Sequence, residues 1–532
     1  MTRISLLMLG LVMAGAANAA PTLWERDPQQ ITEGLEQRSS AAVRGWAIEP
    51  STTLITQKAG QMVVSLPDQT ELLVERRRIF SQSDHSTSWA GVGPKGAEVL
   101  MTVRDGWMGG LIHTDEHNWE IRPDAEYGTV LLELDTTAFP ECSGGFEPPA
   151  DAREDSHALS RLSRQPSSFE PPPGSSDGNA ADNDETVIMD LLALYTPAAR
   201  QALGGTAQIE AHAEAAIANA NQSFENSRVN AQFRIAGIEQ IRYGESDSCG
   251  TDLGWVRNSS TVQQLRDQYG ADMVGMLVQA SYCGCGYVMR TPDPGFASNA
   301  FQVTATQCAV GNLTYAHEHG HNMGMEHDPA NGPEPGTASY PWSFGHFVSG
   351  EFRTVMSYPC SGGCPRRMYF STPNARYNGH PTGIAEQRDN ARTASLTSPI
   401  VAGFRDPIEP PRIKLETDLL EVSVAIHDPS AVTDLEIGNV GGRSLEWSIE
   451  MNSTDCRLPD WVSVSFTSGT IGPGEQQSLE ILFDGSDLVP DTYLATVCID
   501  SNDPDQPVTD LTAELQVLPI DILHERFEAP GD

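Results

Sequence analysis

Between Pro21 and Pro140 the apolar residues alternate with polar ones or fall in short blocks, as in QMVVSLP, ELLVERRRIF, EVLMTV and GTVLLELD, separated by Gly, Pro and Asp. Period-two patterning broken this often predicts short strands, and so a β-rich unit. The pattern lapses after FPECSGG. From Glu147 to about Glu185 the chain is rich in Pro, Ser, Asp and Gly (PSSFEPPPGSSDGNAADNDE), a composition that cannot bury a core and predicts a linker open to proteolysis. Order resumes at TVIMDLLALYTP, whose near-continuous apolar run predicts a strand buried on both faces. AQIEAHAEAAIANANQSF then places Ile209, Ala213, Ala216, Ile217, Ala220 and Phe224 along one helical stripe. AQFRIAGI reads as a strand, TVQQLRDQYG as a helix closed by Gly270, and ADMVGMLV as another buried strand. Strands alternating with helices predict an α/β domain with a mixed, mostly parallel sheet. From Arg412 onward SLEWSIE, WVSVSF, SLEILF and YLATVCID alternate between turns such as NVGGRS and SNDPDQP, which predicts an antiparallel, all-β sandwich of about a hundred residues. The expected layout is a β-rich unit over 20–146, a linker over 147–185, an α/β domain over 186–406, a sandwich over 412–520 and a tail over 521–532.

The first twenty residues, MTRISLLMLGLVMAGAANAA, add an early Arg3, an apolar stretch to about Ala14 and small residues at Ala17 and Ala19. This is the pattern of a signal peptide over residues 1–19, cleaved after Ala19 or Ala20. A secreted, extracellular protein is expected, with the periplasm as the alternative. No other run approaches the roughly 20 apolar residues of a membrane span. The chain carries 72 acidic and 33 basic residues, a formal charge of −39, and no basic cluster. Nucleic acid is therefore a poor partner. Export permits disulfides, so the nine cysteines matter: eight can pair, and Cys142, beside the linker, is the most economical one to leave over.

One stretch carries chemistry. HEHGHNMGMEHD, His317 to Asp328, holds four histidines in twelve residues. On a helix His317 and His321, four apart, share a face and can hold one tetrahedral metal ion. Glu318, beside the first of them, is placed to act as a general base on water without being a ligand. Gly324 can end the helix in a left-handed conformation and turn the chain back so that His327 reaches the same ion. Three imidazoles then leave one position open, the mark of a catalytic zinc site, where the pKa of a bound water falls from about 15.7 towards about 7. His319 points away from the pair and reads as a packed or solvent-facing histidine. Amide hydrolysis is the reaction class.

The spacing His317-Glu318-x-x-His321-x-x-Gly324-x-x-His327, followed by TVMSY at Thr354 to Tyr358, resembles the metzincin zinc metalloendopeptidases. CAVGNLTYAHEHGHNMGMEHD, with YFSTPNARYNGHPTGIAEQRDNARTASLTSPIVAGF, resembles their bacterial reprolysin-like group, which includes the peptidyl-Asp metalloendopeptidases. The likeness covers roughly Thr186 to Arg405. It implies one catalytic Zn2+, protein or peptide substrates, and Met356 as a structural base under the site. Asp328 after the third histidine is the reprolysin pattern, while Tyr358 matches a switching ligand of other relatives; Tyr358 is thus either a hydrogen-bond donor in the transition state or a core aromatic. The likeness further implies a propeptide over the first β-rich unit, in which Cys142 caps the zinc of a latent zymogen as an additional metal ligand, or else stays a free thiol. Cys283 or Cys285 is expected to bridge to Cys308 near the cleft, and Cys360 and Cys364, which flank SGG after the Met-turn, are expected in disulfides rather than in metal binding or redox chemistry, with their partners left open. The segment after the Met-turn walls the primary specificity pocket in metzincins. Here it carries Arg366 and Arg367, which are either readers of acidic substrate side chains or surface arginines.

The final domain resembles immunoglobulin-like modules of bacterial exported proteins, and is expected either to contact a substrate, an envelope component or a partner, or to serve only as a spacer. The leading expectation is a secreted zinc endopeptidase made as a latent precursor. The alternative is an exported adhesion or binding protein in which the metal site is structural.

Overall fold

The computed structural model describes residues 20–25, 28–83, 85–140, 142–149, 185–449, 458–503 and 505–519. The expected signal peptide, most of the expected linker, the whole of the tail and Cys456 lie outside the described residues. The chain divides into two compact units, Met1–Arg405 and Asp406–Asp532.

The first unit begins with nine strands: β1 (Gln29–Ile31), β2 (Ala42–Ile48), β3 (Gln61–Ser65), β4 (Glu71–Phe80), β5 (Ser86–Val92), β6 (Glu98–Arg104), β7 (Trp107–His113), β8 (Asn118–Asp124) and β9 (Gly128–Leu134). They form one sheet in the order β1-β2-β9-β8-β7-β6-β5-β4-β3, antiparallel throughout. Tight turns make this order cheap. Between β6 and β7, Asp105 and Gly106 both take positive φ (48° and 79°), the twist that a two-residue hairpin needs. One face of the sheet buries Met62, Trp89, Met101, Trp119 and Ile121 in a core of its own. From the other, Ala90, Leu100 and Leu111 enter the core of the α/β layer.

That layer is a six-stranded sheet, β10-β14-β15-β13-β11-β12, built from β10 (Gly145–Phe146), β11 (Val187–Tyr195), β12 (Ala231–Gln240), β13 (Met273–Val278), β14 (Gly284–Tyr287) and β15 (Phe301–Ala305). β11 pairs in parallel with β12 and β13, and β13 with β15; β14 runs antiparallel to β15 and takes β10 in parallel on its other side. Parallel neighbours need crossovers, and the helices Thr206–Asn226, Cys249–Asn258 and Ser260–Tyr269 supply them. The long helix Thr206–Asn226 lies against the nine-stranded sheet. A Cβ on Gly109 would stand 2.8 Å from the Ala215 Cβ, so small residues on both sides set how closely the layers approach. Arg104 pairs there with Glu210 at 2.8 Å and Glu214 at 3.0 Å. Disulfides Cys249–Cys285 and Cys283–Cys308 anchor β14, Cys360 bonds Cys364, and Cys142 is a buried free thiol.

The second unit holds a four-stranded and a five-stranded sheet that share a core of Leu435, Trp447, Phe483, Ile499 and Leu515. One pairing departs from the all-antiparallel expectation. Leu419–Ala425 runs parallel to Val508–Leu518, a pairing that alternation cannot reveal because the partners stand at opposite ends of the unit. Cys498 is disulfide-bonded.

Candidate metal centre and the cleft beside it

The helix Thr314–Asn322 is buried along its whole length and packs against β14 and β15. It stops at Gly324, whose φ is 84°. The Gly324 N–H donates to the His321 carbonyl and the Met325 N–H to the Gly320 carbonyl, both at 2.9 Å, which closes the helix end. A Cβ on Gly324 would stand 2.8 Å from the Met289 carbonyl oxygen. Backbone conformation and neighbour therefore both call for glycine. The turn returns the chain so that His327 Nε2 lies 3.2 Å from His317 Nε2 and 3.0 Å from His321 Nε2.

Each of these rings has its other nitrogen engaged. His317 Nδ1 meets the Val355 carbonyl at 2.9 Å, His321 Nδ1 the Met325 carbonyl at 2.9 Å, and His327 Nδ1 the Asn331 carbonyl at 3.4 Å. A carbonyl can only accept, so each Nδ1 carries the proton and each Nε2 presents a lone pair. Burial holds all three rings neutral, His317 and His321 well below the usual imidazole range and His327 at about 4. Three lone pairs converging in a buried site repel one another unless a cation takes them, so the donor set fits a metal ion with three nitrogen ligands. Below it, a Cβ on Gly320 would collide with the Met356 sulfur, so the helix and the turn at Met356 touch where the helix has no side chain.

Glu318 is fully buried, and neither carboxylate oxygen has a hydrogen-bonding nitrogen or oxygen partner. Its neighbour is the Cys142 thiol: one donor atom each of Cys142, His317 and Glu318 lie within 4.8 Å of one another. Burial pushes the Glu318 carboxyl up to about 8, against the Cys142 hydrogen bond and the charge of Arg366. It also pushes the Cys142 thiol up to about 12, so a thiolate here needs a cation beside it. The backbone around Cys142 is held along the cleft. The Tyr358 hydroxyl donates to the Cys142 carbonyl at 3.1 Å, the Ser143 N–H to the Gly284 carbonyl at 3.0 Å and the Val288 N–H to the Phe146 carbonyl at 3.0 Å.

The remaining candidates divide by position. Asp328 accepts from the Tyr358 N–H at 3.0 Å and the Ser357 hydroxyl at 3.3 Å, tying the third histidine to the turn that carries Met356. The Tyr358 ring lies tilted against that of His327, with centroids 4.2 Å apart. His319 lies on the far side of the helix between Tyr315 and Phe233, at 4.9 and 5.5 Å, and is not grouped with the other three. Arg366 is buried beside Cys142. Arg367 turns away to Asn118, to the Thr114 carbonyl and over the Tyr377 ring, so the two neighbouring arginines do different work. Sequence reasoning missed Arg353, Asn312 and Phe139, which join Arg366 around a cavity of about 20 Å³. The single available signal was an arginine three residues ahead of Met356.

Comparison with known proteins adds the family. Residues 185–371 match the profile of metallo-peptidase family M12, Reprolysin_5. A peptidyl-Asp metalloendopeptidase of Stenotrophomonas maltophilia (strain R551-3) is 30% identical over 437 residues, covering 75% of this chain and 97% of that protein. The chain belongs to metallopeptidase family M12. A peptidyl-Asp metalloendopeptidase of Xanthomonas campestris pv. campestris is 31% identical over 323 residues, 59% of this chain and 72% of that protein. As an M12 peptidase the protein is a zinc metalloendopeptidase, with peptides or proteins as substrates. No helix among the described residues is long and apolar enough to cross a membrane.

Proposed function

We propose that this M12 peptidase is exported as a latent precursor and that its catalytic zinc is held by His317, His321 and His327. The observation that carries the reading is the convergence of three Nε2 lone pairs, each fixed by a carbonyl on the opposite nitrogen. Bound there, the ion would supply Lewis acidity, polarising a scissile carbonyl and acidifying a water. Glu318 is the base. Its carboxylate, with no other hydrogen-bonding partner than Cys142, takes a proton and returns it to the leaving amine. Tyr358 is placed to donate a hydrogen bond once its hydroxyl is released from the Cys142 carbonyl. Asp328 and Met356 hold the geometry: one ties His327 to the turn, the other fills the space under Gly320.

Residues 20–146 act as the propeptide. Cys142 occupies the reaction site between His317 and Glu318, residues 143–146 cover the adjoining strand, and cleavage within 147–185 frees both. The relatives are named peptidyl-Asp metalloendopeptidases, and we extend a preference for Asp to this enzyme. The 412–520 unit serves as an immunoglobulin-like accessory module that contacts substrate or an envelope component, and the enzyme acts outside the cell or in the periplasm. The test is Glu318→Ala in the activated enzyme, with zinc content measured beside hydrolysis of casein. A variant with full zinc should lose at least a hundredfold in kcat; full zinc with near-normal activity defeats the assignment.

A further inference from the structure

Arg353 and Arg366 are 2% and 4% exposed, and their backbones lie side by side. The Arg353 N–H donates to the Pro365 carbonyl at 3.0 Å and the Arg367 N–H to the Arg353 carbonyl at 2.9 Å. The two side chains end on the same two residues and share the Ser357 carbonyl. Arg353 donates to the Ser357 carbonyl at 2.8 Å and the Asn312 side chain at 3.3 Å; Arg366 donates to the Asn312 carbonyl at 2.7 Å and the Ser357 carbonyl at 3.4 Å. Neither makes an ion pair with a carboxylate among the described residues, although Arg366 faces Glu318 and Arg353 faces Asp328 at longer range, and the Nε of each has no partner. Arg266, also buried and bonded to carbonyls, has Asp272 and Asp267 near it as well as Arg405, whereas Arg353 and Arg366 set two buried guanidinium groups against each other. Burying one unpaired charge costs several kcal/mol, and a like charge beside it adds to that. An arrangement of this kind is built to receive an anion.

Its place says which anion. Arg366 contacts the Cys142 thiol, which shares the reaction site with His317 and Glu318. Both arginines line the small cavity whose other walls include Asn312 and Tyr358 and which Phe139 and Cys142 close in the intact chain. We propose that Arg353 and Arg366 together form the pocket that reads an acidic side chain next to the scissile bond, and that Phe139 and Cys142 occupy its mouth until they are removed. The proposal rests on the peptidase reading above. Planar guanidinium forks match a carboxylate with two oxygens, and a short Asp side chain brings its carboxylate to the pair without drawing the peptide away from Glu318. Asn has the same shape and no charge, so it leaves both arginines unpaired.

The test uses the full chain, activated by limited proteolysis, with peptides identical except for Asp or Asn at one position and cleavage sites mapped by mass spectrometry. Wild type should show a kcat/KM at least a hundredfold higher for the Asp peptide. Arg353→Gln and Arg366→Gln should each lower that Asp:Asn ratio at least tenfold, with the loss falling on the Asp peptide; a merely structural role would depress both peptides alike. Arg353→Lys and Arg366→Lys keep the charge without the fork and should retain part of the preference. An unchanged ratio in any folded, zinc-loaded Gln or Lys variant overturns the pocket. Should no variant fold, inhibition of the wild-type enzyme decides: a product peptide bearing Asp should bind at least tenfold tighter than its Asn twin, and equal inhibition overturns the proposal. Zinc-loaded wild type that cuts neither peptide refutes the peptidase reading itself, whereas cleavage without Asp preference refutes only the pocket.

Discussion

Gly324 offers the sharpest way to separate the shape of the zinc site from its ligands, because changing it touches no donor atom. In Gly324→Ala an L-residue is forced to φ 84°, which costs about 1–2 kcal/mol. Its Cβ also meets the Met289 carbonyl oxygen at 2.8 Å. That oxygen belongs to backbone running on from β14, which two disulfides anchor, so relief must come from the turn itself, and overpacking of this kind costs about 1–3 kcal/mol. The sum is about 2–5 kcal/mol, part of it felt three residues on at His327. Since about 1.4 kcal/mol is a factor of ten in affinity, zinc should bind at least tenfold more weakly. Denaturant unfolding with and without excess chelator gives the stability, and competition against a chromophoric chelator gives the zinc Kd. Gly324→Asn should fall between Gly and Ala, because Asn tolerates the left-handed region yet its Cβ meets the same oxygen. A Gly324→Ala protein destabilised by less than about 1 kcal/mol, with zinc affinity within threefold of wild type, would refute the claim that this turn delivers His327.

Further expectations follow from the same contacts. Burial pushes the Glu120 carboxyl from 4.5 to about 7, so between those values the folded chain holds a proton that the unfolded chain has lost. Stability of the intact chain should therefore fall as pH rises from about 4.5 to 7, and Glu120→Gln should flatten that slope in melts at pH 5 and pH 8; equal slopes count against it. Cys142→Ala in the unprocessed chain should raise hydrolysis of a small fluorogenic peptide at least tenfold while a gel shows the chain still intact; no rise removes Cys142 from latency. Deleting 406–532 should spare small-peptide cleavage and lower activity on large substrates, and a loss on both kinds of substrate would deny the second unit an accessory role.

What could be read from sequence follows the range of the contacts. His317, His321 and His327 lie within eleven residues, and helix pitch plus one glycine turn suffices to bring their nitrogens together. Cys142 stands 175 residues before His317, and the parity of the cysteines and the resemblance of its segment to a propeptide, rather than any local geometry, single it out. Arg353 and Asn312 escaped notice because neither belongs to a local pattern; their meeting depends on strands and turns 41 residues apart. Arg366 and Arg367 were read alike as neighbours, yet adjacent residues on an extended chain face opposite ways, and one enters the cleft while the other meets Thr114 and Asn118. In the sheets, alternation marked the strands, but no local pattern marks the antiparallel insertion of β14 or the parallel pairing of Leu419–Ala425 with Val508–Leu518.

The placement of β14 has a consequence for the enzyme's behaviour in solution. In the intact chain its outward side is satisfied by Ser143, Gly145 and Phe146. Take those residues away and a sheet border opens, its unpaired N–H and C=O groups held in line by two disulfides. Such a border welcomes any extended chain, a second copy of the enzyme included. Residues 186–532 keep an acidic surplus of their own, 44 acidic residues against 19 basic, which then has a use beyond solubility: copies of the enzyme repel one another before their open borders can meet. The attached segment serves as an outer strand, and on the latent-precursor reading proposed above charge would take over its guard after cleavage.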